Sequence, residues 1–369
     1  MEVLFRLGPL SMTPYSLMMG LAVLLALAVT FCVSRNTLTG GRIVALVCVC
    51  VISALLGGHI VYSLAFFPAL EIDYGGYLFI ARLYEGGSTL FGAVFFIMLA
   101  CLLLAKHWKM KTAALMDCVA PGAAIALFVG RAAEYFNGQG LGQAVEDTAF
   151  QRFPFAVCTY MDEEWSEWYL AVFVFEAAMA LVLFLTMMFL CHRRQKTGFL
   201  SGFFLAVFCA SQIFLEQLRA DDCIRFGFVR LTQLCAFAVL IALLAFRTSH
   251  LVRNRGWNWE DTVRMIRFIS AALCVVFIEF AFEKPQFYPY LSASIILFSL
   301  SIACPEFQKA WKQKRIAHGF AALVSLILAA LMLYILTLGL ENEWDYLYAL
   351  MAVCVSVMAF DACPRNRLE

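Results

Sequence analysis

Charge is what this chain has least of. Asp, Glu, Lys and Arg make up 14% of its 369 residues, against about 25% in soluble domains. Hydrophobic residues make up 63% and the mean hydropathy is +0.83. A water-soluble globular fold is therefore excluded. The net charge is only +1 and no dense basic tract occurs, so nothing points to nucleic acid as a partner. There is no CxxC pattern, and the five histidines are scattered, so no metal and no cofactor is expected. No cleavable signal-peptide pattern opens the chain, because the first apolar run is long enough to stay as a helix. The 14 cysteines lie mostly within apolar runs, where they behave as small hydrophobes. Cys158 and Cys223 are exceptions. Both are expected outside and could pair in an oxidising compartment, but spacing alone cannot bring two thiols together.

What is present is a series of apolar runs near the ~20 residues needed to cross a bilayer. They fall at about 15–33, 43–67, 87–105, 113–130, 169–190, 198–217, 230–246, 265–283, 288–304, 317–339 and 344–361. The fold class is an all-α polytopic membrane protein of roughly eleven helices. The run at 288–304 is the weakest, with Pro289 in its first turn, where proline is tolerated. Nineteen of the 27 Lys+Arg fall in one set of alternate loops and the carboxyl tail. The excess of basic residues on cytoplasmic loops puts the amino terminus outside and the carboxyl terminus in the cytoplasm.

The longest non-helical stretch runs from Arg131 to about Trp168 and is expected to form a small external cap over a membrane cavity. Irregular backbone at membrane depth must be buried in protein or face water. Trp165, Trp168 and Tyr169 suit an interfacial aromatic belt. The stretch begins with the richest segment of the chain, Gly130-Arg131-Ala132-Ala133-Glu134-Tyr135-Phe136-Asn137-Gly138-Gln139-Gly140-Leu141-Gly142. An arginine at the edge of a span is costly unless something requires it. Arginine is also the side chain shaped to hold a phosphate through parallel hydrogen bonds, and clustered glycines let backbone approach a ligand closely. His59, Glu85, Arg131, Glu134, Glu176, Glu216 and Arg219 lie on different spans, all near the outer half. Each alone could be a packing hydrogen bond or an end-of-helix cation reaching for water, and Glu216 with Arg219 could be an i,i+3 ion pair. Their common depth points to a shared cavity. Asp117 and Glu279 lie elsewhere and read as packing or topology features.

These residues resemble prolipoprotein diacylglyceryl transferase. Leu7-Gly8-Pro9-Leu10-Ser11 with Tyr15-Ser16-Leu17-Met18 is similar to the family's LGP…YGLM. The segment from Tyr84 to Gly92 is similar to its W-x-GG-M-S-F-H-G-G. Gly130 to Gly142 resembles GRxGNFxNGExxG. Phe175-Glu176-Ala177 stands for YEA, and Glu216 to Asp221, with Gln233 after it, for EFFRxPD and GQ. The resemblance covers about residues 5–247 and implies a seven-helix core, with residues 1–250 as the transferase-like membrane domain. Residues 251–369 are then an added module of about four spans and unknown role. Its opening segment, Thr248 to Arg267, carries Trp257 and Trp259 in a basic context that suits an interfacial helix.

The resemblance implies transfer of a diacylglyceryl group from phosphatidylglycerol to the lipobox cysteine of a prolipoprotein signal peptide, in a bacterial cytoplasmic membrane. Arg131 would hold the phosphate, with Arg219 or Arg225 as further candidates. Tyr15 and Asn137 would orient the head group, and Gly138, Gly142, Glu216 and Arg219 would complete the binding site. Several positions depart from the pattern. The family's important histidine falls at Phe91, its tyrosine at Phe208, one arginine at Gln212 and another at His59, and its asparagine at Glu134. Glu134 or His59 would then have to act as general base. The competing reading is a non-catalytic member that binds phospholipid or lipopeptide as a scaffold or lipid-handling partner. A secondary transporter has less support, because no inverted repeat is visible.

Overall fold

A computed structural model describes residues 5–7, 10–66, 87–160, 166–193, 195–220, 225–226, 229–313, 316–338 and 343–364. Glu85, the acidic segment at 162–164, Trp165, Asp221 and Cys223 lie outside them. The described residues form eleven α-helices, and ten candidate spans are long and apolar enough to cross a membrane. The exception is the helix at Ile316–Leu338, whose qualifying apolar stretch is the shorter Phe320–Leu336. The all-α membrane architecture expected from hydropathy is the one observed.

The chain divides into two compact units. The first contains residues 1–208, 215–224 and 364–369. A short hairpin, β1 (Phe5–Leu7) and β2 (Leu10–Met12), leads into α1 (Pro14–Ser34). Thr13 caps α1: its hydroxyl accepts from the Ser16 amide at 3.2 Å, and the Ser16 hydroxyl accepts from the Thr13 amide at 2.9 Å. This reciprocal arrangement satisfies amide groups that a helix start leaves unpaired. Then come α2 (Gly40–Ala65), α3 (Leu90–His107), α4 (Thr112–Ala133), α5 (Val172–Cys191) and α6 (Phe199–Leu218), whose middle residues 209–214 group with the second unit. Helix α1 packs on α4, α2 on α3, and α4 on α5. Asp117 serves the structural role expected of it. Its carboxylate accepts from the Gly198 amide at 2.5 Å and the Ser201 amide at 2.8 Å, so it closes the start of α6, where a negative charge suits the helix dipole.

The segment between α4 and α5 is more ordered than an irregular cap. A 3₁₀ turn, Glu134–Asn137, extends α4, and β3 (Ala156–Tyr160) pairs antiparallel with β4 (Ser166–Leu170). Residues 140–145 lie along this hairpin, with Gly142 N to Leu170 O at 2.7 Å and Val145 N to Trp168 O at 2.7 Å. The loop's backbone groups are thus paired by its own hairpin.

The second unit contains residues 209–214 and 225–363. It holds the two-residue strands β5 (Arg225–Phe226) and β6 (Val229–Arg230), then α7 (Leu231–Arg255), α8 (Trp259–Glu283), α9 (Tyr288–Gln313), α10 (Ile316–Leu338) and α11 (Glu343–Ala362). The interfacial helix expected over 248–267 is not a separate element. Helix α7 runs on to Arg255, stops at Gly256 (φ +76), and α8 starts at Trp259. The reason is electrostatic. Asp261, fully buried, pairs with Arg255 at 2.9 Å and Arg264 at 3.1 Å, so the basic residues close a tight corner. Arg267 forms a two-pronged ion pair with Asp361, and Arg247 donates to the carbonyls of Phe360 and Asp361. Glu279, taken as a packing feature, accepts from the Gln233 amide at 2.8 Å.

Candidate functional site

The site lies in the first unit, where α4, its 3₁₀ extension, α5 and the end of α6 meet. Arg131 is the last basic residue of α4 and Glu134 follows it by three positions, so the two share a face. They form a close ion pair. Glu176, one turn into α5 and 1% exposed, receives both arginines: Arg131 Nε at 3.1 Å and Arg219 at 3.0 Å, each on Oε2. Arg219 also lies 3.7 Å from Glu134 Oε2. Four charged side chains from three helices therefore close one ring, with two guanidiniums and two carboxylates. Such a ring is costly to desolvate and strongly destabilising if one member is removed.

Backbone geometry holds the ring. Gly140 has φ +71, and a Cβ there would sit 2.4 Å from Glu134 Oε2 and 2.8 Å from Phe173. A Cβ at Gly142 would sit 2.5 Å from the Leu218 carbonyl. Gly142 pairs with Arg219 as an isolated antiparallel bridge, and Ala220 N reaches Leu141 O at 3.0 Å. The glycine loop thus packs directly on the chain that delivers Arg219, with no room for side chains.

The sequence-derived candidates do not all converge. Arg131, Glu134, Gly142 and Arg219 come together as described. Asn137 ends the 3₁₀ turn that starts at Glu134, and i,i+3 side chains eclipse in such a turn. Gly138 caps the turn with φ +63. Tyr15 on α1 lies within electrostatic reach of Glu134 and Arg131. Glu216 is buried one turn before Arg219, whose described ion pairs run to Glu176 and Glu134. His59 is buried on α2 with Nδ1 3.2 Å from the Gly87 carbonyl, so that nitrogen must carry the proton. Sequence reasoning places Glu176 in the shared cavity but gives it no role, and it does not single out Gly140. Glu176 is the hub of the ring, and its signal was a lone carboxylate in an otherwise apolar helix. Gly140 gave no signal beyond its membership of the glycine cluster.

Three buried acceptor atoms in this region have no hydrogen-bond partner among the described residues: Glu134 Oε2, Glu176 Oε1 and Asn137 Oδ1. An apolar cavity of about 810 Å³ is lined, among others, by Ala132, Tyr135, Phe136, Trp168, Phe173 and Ala177. Trp168, expected as an interfacial anchor, faces this cavity. The histidine-equivalent position, Phe91, packs on Phe208. Among the described residues no cluster of His, Cys, Asp and Glu suited to a metal ion was found.

A family profile described as prolipoprotein diacylglyceryl transferase matches residues 2–248. A Clostridium kluyveri protein named phosphatidylglycerol–prolipoprotein diacylglyceryl transferase is 25% identical over 248 residues, covering 66% of this chain and 94% of that protein. A Rickettsia felis protein of the same name is 27% identical over 233 residues, covering 62% and 86%. One from Rickettsia bellii is 27% identical over 236 residues, covering 62% and 85%. The segments that build the charged ring all fall inside the profile match, and the chain belongs to the prolipoprotein diacylglyceryl transferase family.

Proposed function

We propose that this multi-pass bacterial membrane protein is a diacylglyceryl transferase, moving a diacylglyceryl group from a phospholipid to the lipobox cysteine of a prolipoprotein. The relatives' names supply phosphatidylglycerol as the donor. The observation that carries the reading is the buried ring of Arg131, Glu134, Glu176 and Arg219, built on the family's own segments. The substrate sulfur forms a bond to the terminal glyceryl carbon, the bond from that carbon to the phosphate oxygen breaks, and the electron pair leaves with the phosphate. Only thiolate is a competent nucleophile, and the departing phosphate needs fixed positive charge. Arg131 and Arg219 supply that charge. Tyr15 and Asn137 orient the head group, while Gly138 and Gly142 keep the loop close. Glu134 or His59 takes the thiol proton. The apolar cavity beside the ring receives apolar parts of a substrate. The amino terminus is outside and the carboxyl terminus in the cytoplasm, a reading supported by the distribution of basic residues among the loops. Residues 1–250 act as the transferase domain, and 251–369 as an added helical module.

One observation favours a second reading, a lipid-binding member without transfer. The position of the family's histidine is filled by Phe91, packed at 5.7 Å on Phe208, and a phenyl ring moves no protons. Expression in a strain lacking its own transferase separates the two. Diacylglyceryl-modified lipoprotein detected by mass spectrometry is the expected result, and its absence sinks the transfer reading. Modified product that survives Arg131→Ala overturns the assignment of the phosphate site.

A further inference from the structure

The β3–β4 hairpin has one edge covered and one edge without a partner among the described residues. The Ala171 amide donates to the Phe155 carbonyl at 2.8 Å, so 155 and 171 face each other as a hydrogen-bonded pair. In an antiparallel ladder such pairs alternate with pairs that exchange no hydrogen bonds. By the register, Ala156 with Leu170 and Cys158 with Trp168 are of this second kind, and their backbone groups point away from the opposite strand. On β4 those groups are taken up. Leu170 donates to Gln143 at 2.9 Å and accepts from Gly142 at 2.7 Å, and Trp168 accepts from Val145 at 2.7 Å. On β3 the Ala156 amide is used by the Arg152 carbonyl at 3.0 Å. The Ala156 carbonyl and the Cys158 amide and carbonyl have no partner among the described residues. A strand edge of this kind is a template for another chain.

This edge runs along the apolar cavity. Ala156, Val157 and Cys158 all line it. Consecutive strand residues face opposite ways, so a cavity touching all three reaches the rim of the strand and not one face alone. The opposite walls include Ala132, Tyr135 and Ala177, the chain neighbours of the ring residues Arg131, Glu134 and Glu176. No charged side chain is among the lining residues.

We infer that β3 takes up an extended peptide as an added strand, with alternate apolar side chains of that peptide in the cavity. Main-chain hydrogen bonds along the edge hold such a peptide, and the cavity selects its side chains. An acyl chain would fill the cavity but satisfy none of the three backbone groups. A helical peptide has already spent its amides on itself. An extended chain presents an N–H and a C=O to one side at every second residue, as the edge requires. The occupant is the prolipoprotein segment that carries the lipobox cysteine, an identification that rests on the transferase reading. Lodged there, the segment lies against the same two helices that carry Arg131 and Glu176.

The test uses the purified full-length protein in detergent and a synthetic peptide spanning a lipobox cysteine. Single backbone N-methyl groups are placed at successive peptide positions, each removing one donor while keeping the side chain. Affinity measured by calorimetry is expected to fall about fivefold at alternate positions and little between them, the loss of one hydrogen bond at a time. Cys158→Pro removes the outward amide and leaves the ladder to β4 intact, since proline is tolerated on an edge, and should weaken the unmodified peptide by a similar factor. A flat methylation profile, or no peptide binding, overturns the inference and leaves the cavity to acyl chains. If Cys158→Pro does not fold, the profile on the wild type decides. Transfer from phosphatidylglycerol to the unmodified peptide is read separately by mass spectrometry. An alternating profile with no transfer removes the transferase reading and keeps the added strand; transfer with a flat profile does the reverse.

Discussion

The ring of Phe91 rests on that of Phe208 with 5.7 Å between centroids, and Phe208 in turn stacks on Phe204 at 5.8 Å. By resemblance, these two positions carry histidine and tyrosine in the family. Here both are phenyl rings, and they pack on each other. Phe208 is fully buried, so a hydroxyl there needs a partner across the contact, and Phe91 offers none. Two rings at this spacing contribute apolar and aromatic packing instead.

Phe208→Tyr alone is therefore expected to cost about 1–3 kcal/mol, the range for a buried polar group left unpaired. Phe91→His alone should cost a similar amount. The double variant should cost less than the sum by about 1 kcal/mol or more, since contacting residues couple. Thermal unfolding of the four proteins in detergent measures this. Strict additivity would show that the two positions do not couple through this contact.

Glu176 should be the most sensitive position in the ring. Glu176→Ala leaves two guanidiniums facing each other without their shared carboxylate, at a cost of about 3–5 kcal/mol. Glu176→Leu combined with Arg219→Leu should recover part of that loss, since one charge of each sign is removed. A melting temperature unmoved by Glu176→Ala would mean the ring does not form in the membrane protein.

The helices were legible because bilayer thickness imposes a length on every apolar run, and the observed bounds follow those runs within a few residues for most spans. One of the exceptions is instructive. Hydropathy ends a span near 246, yet α7 continues to Arg255, because buried Asp261 gives Arg255 and Arg264 a partner that a hydropathy reading cannot see. The site was legible as a set of charged residues in apolar segments, but not as a network. Nothing in the chain says that Arg219 turns to Glu176, 43 positions away, or that His59 turns to a backbone carbonyl instead. Those pairings depend on helix adjacency, which periodicity does not encode.

The two left-handed glycines of the loop offer a controlled comparison. Gly138 (φ +63) has open space where a Cβ would go, whereas a Cβ at Gly140 (φ +71) meets Glu134 Oε2. Both alanine variants carry the left-handed backbone strain of about 1–2 kcal/mol. Gly140→Ala should in addition displace Glu134, and so weaken phospholipid binding more than Gly138→Ala does, measured by lipid retention on purification. Equal binding by the two variants would remove Gly140 from the site.

Helix α7 draws its buried partners from residues far along the chain. Gln233 donates to Glu279 at 2.8 Å and to the Ile213 carbonyl at 3.2 Å, and Arg247 donates to the carbonyls of Phe360 and Asp361. Glu279→Leu should cost about 1–3 kcal/mol by leaving half of the Gln233 amide unpaired, whereas Glu279→Gln keeps an acceptor and should cost less. A chain truncated after residue 250 loses Glu279, Phe360 and Asp361 at once. It should then be recovered at far lower yield than the full chain, because unsatisfied polar groups inside a bilayer have no water to turn to. Detergent-solubilised yield and size-exclusion profile measure this. A monodisperse truncated protein with an unchanged melting temperature would show that α7 holds its place without residues 251–369.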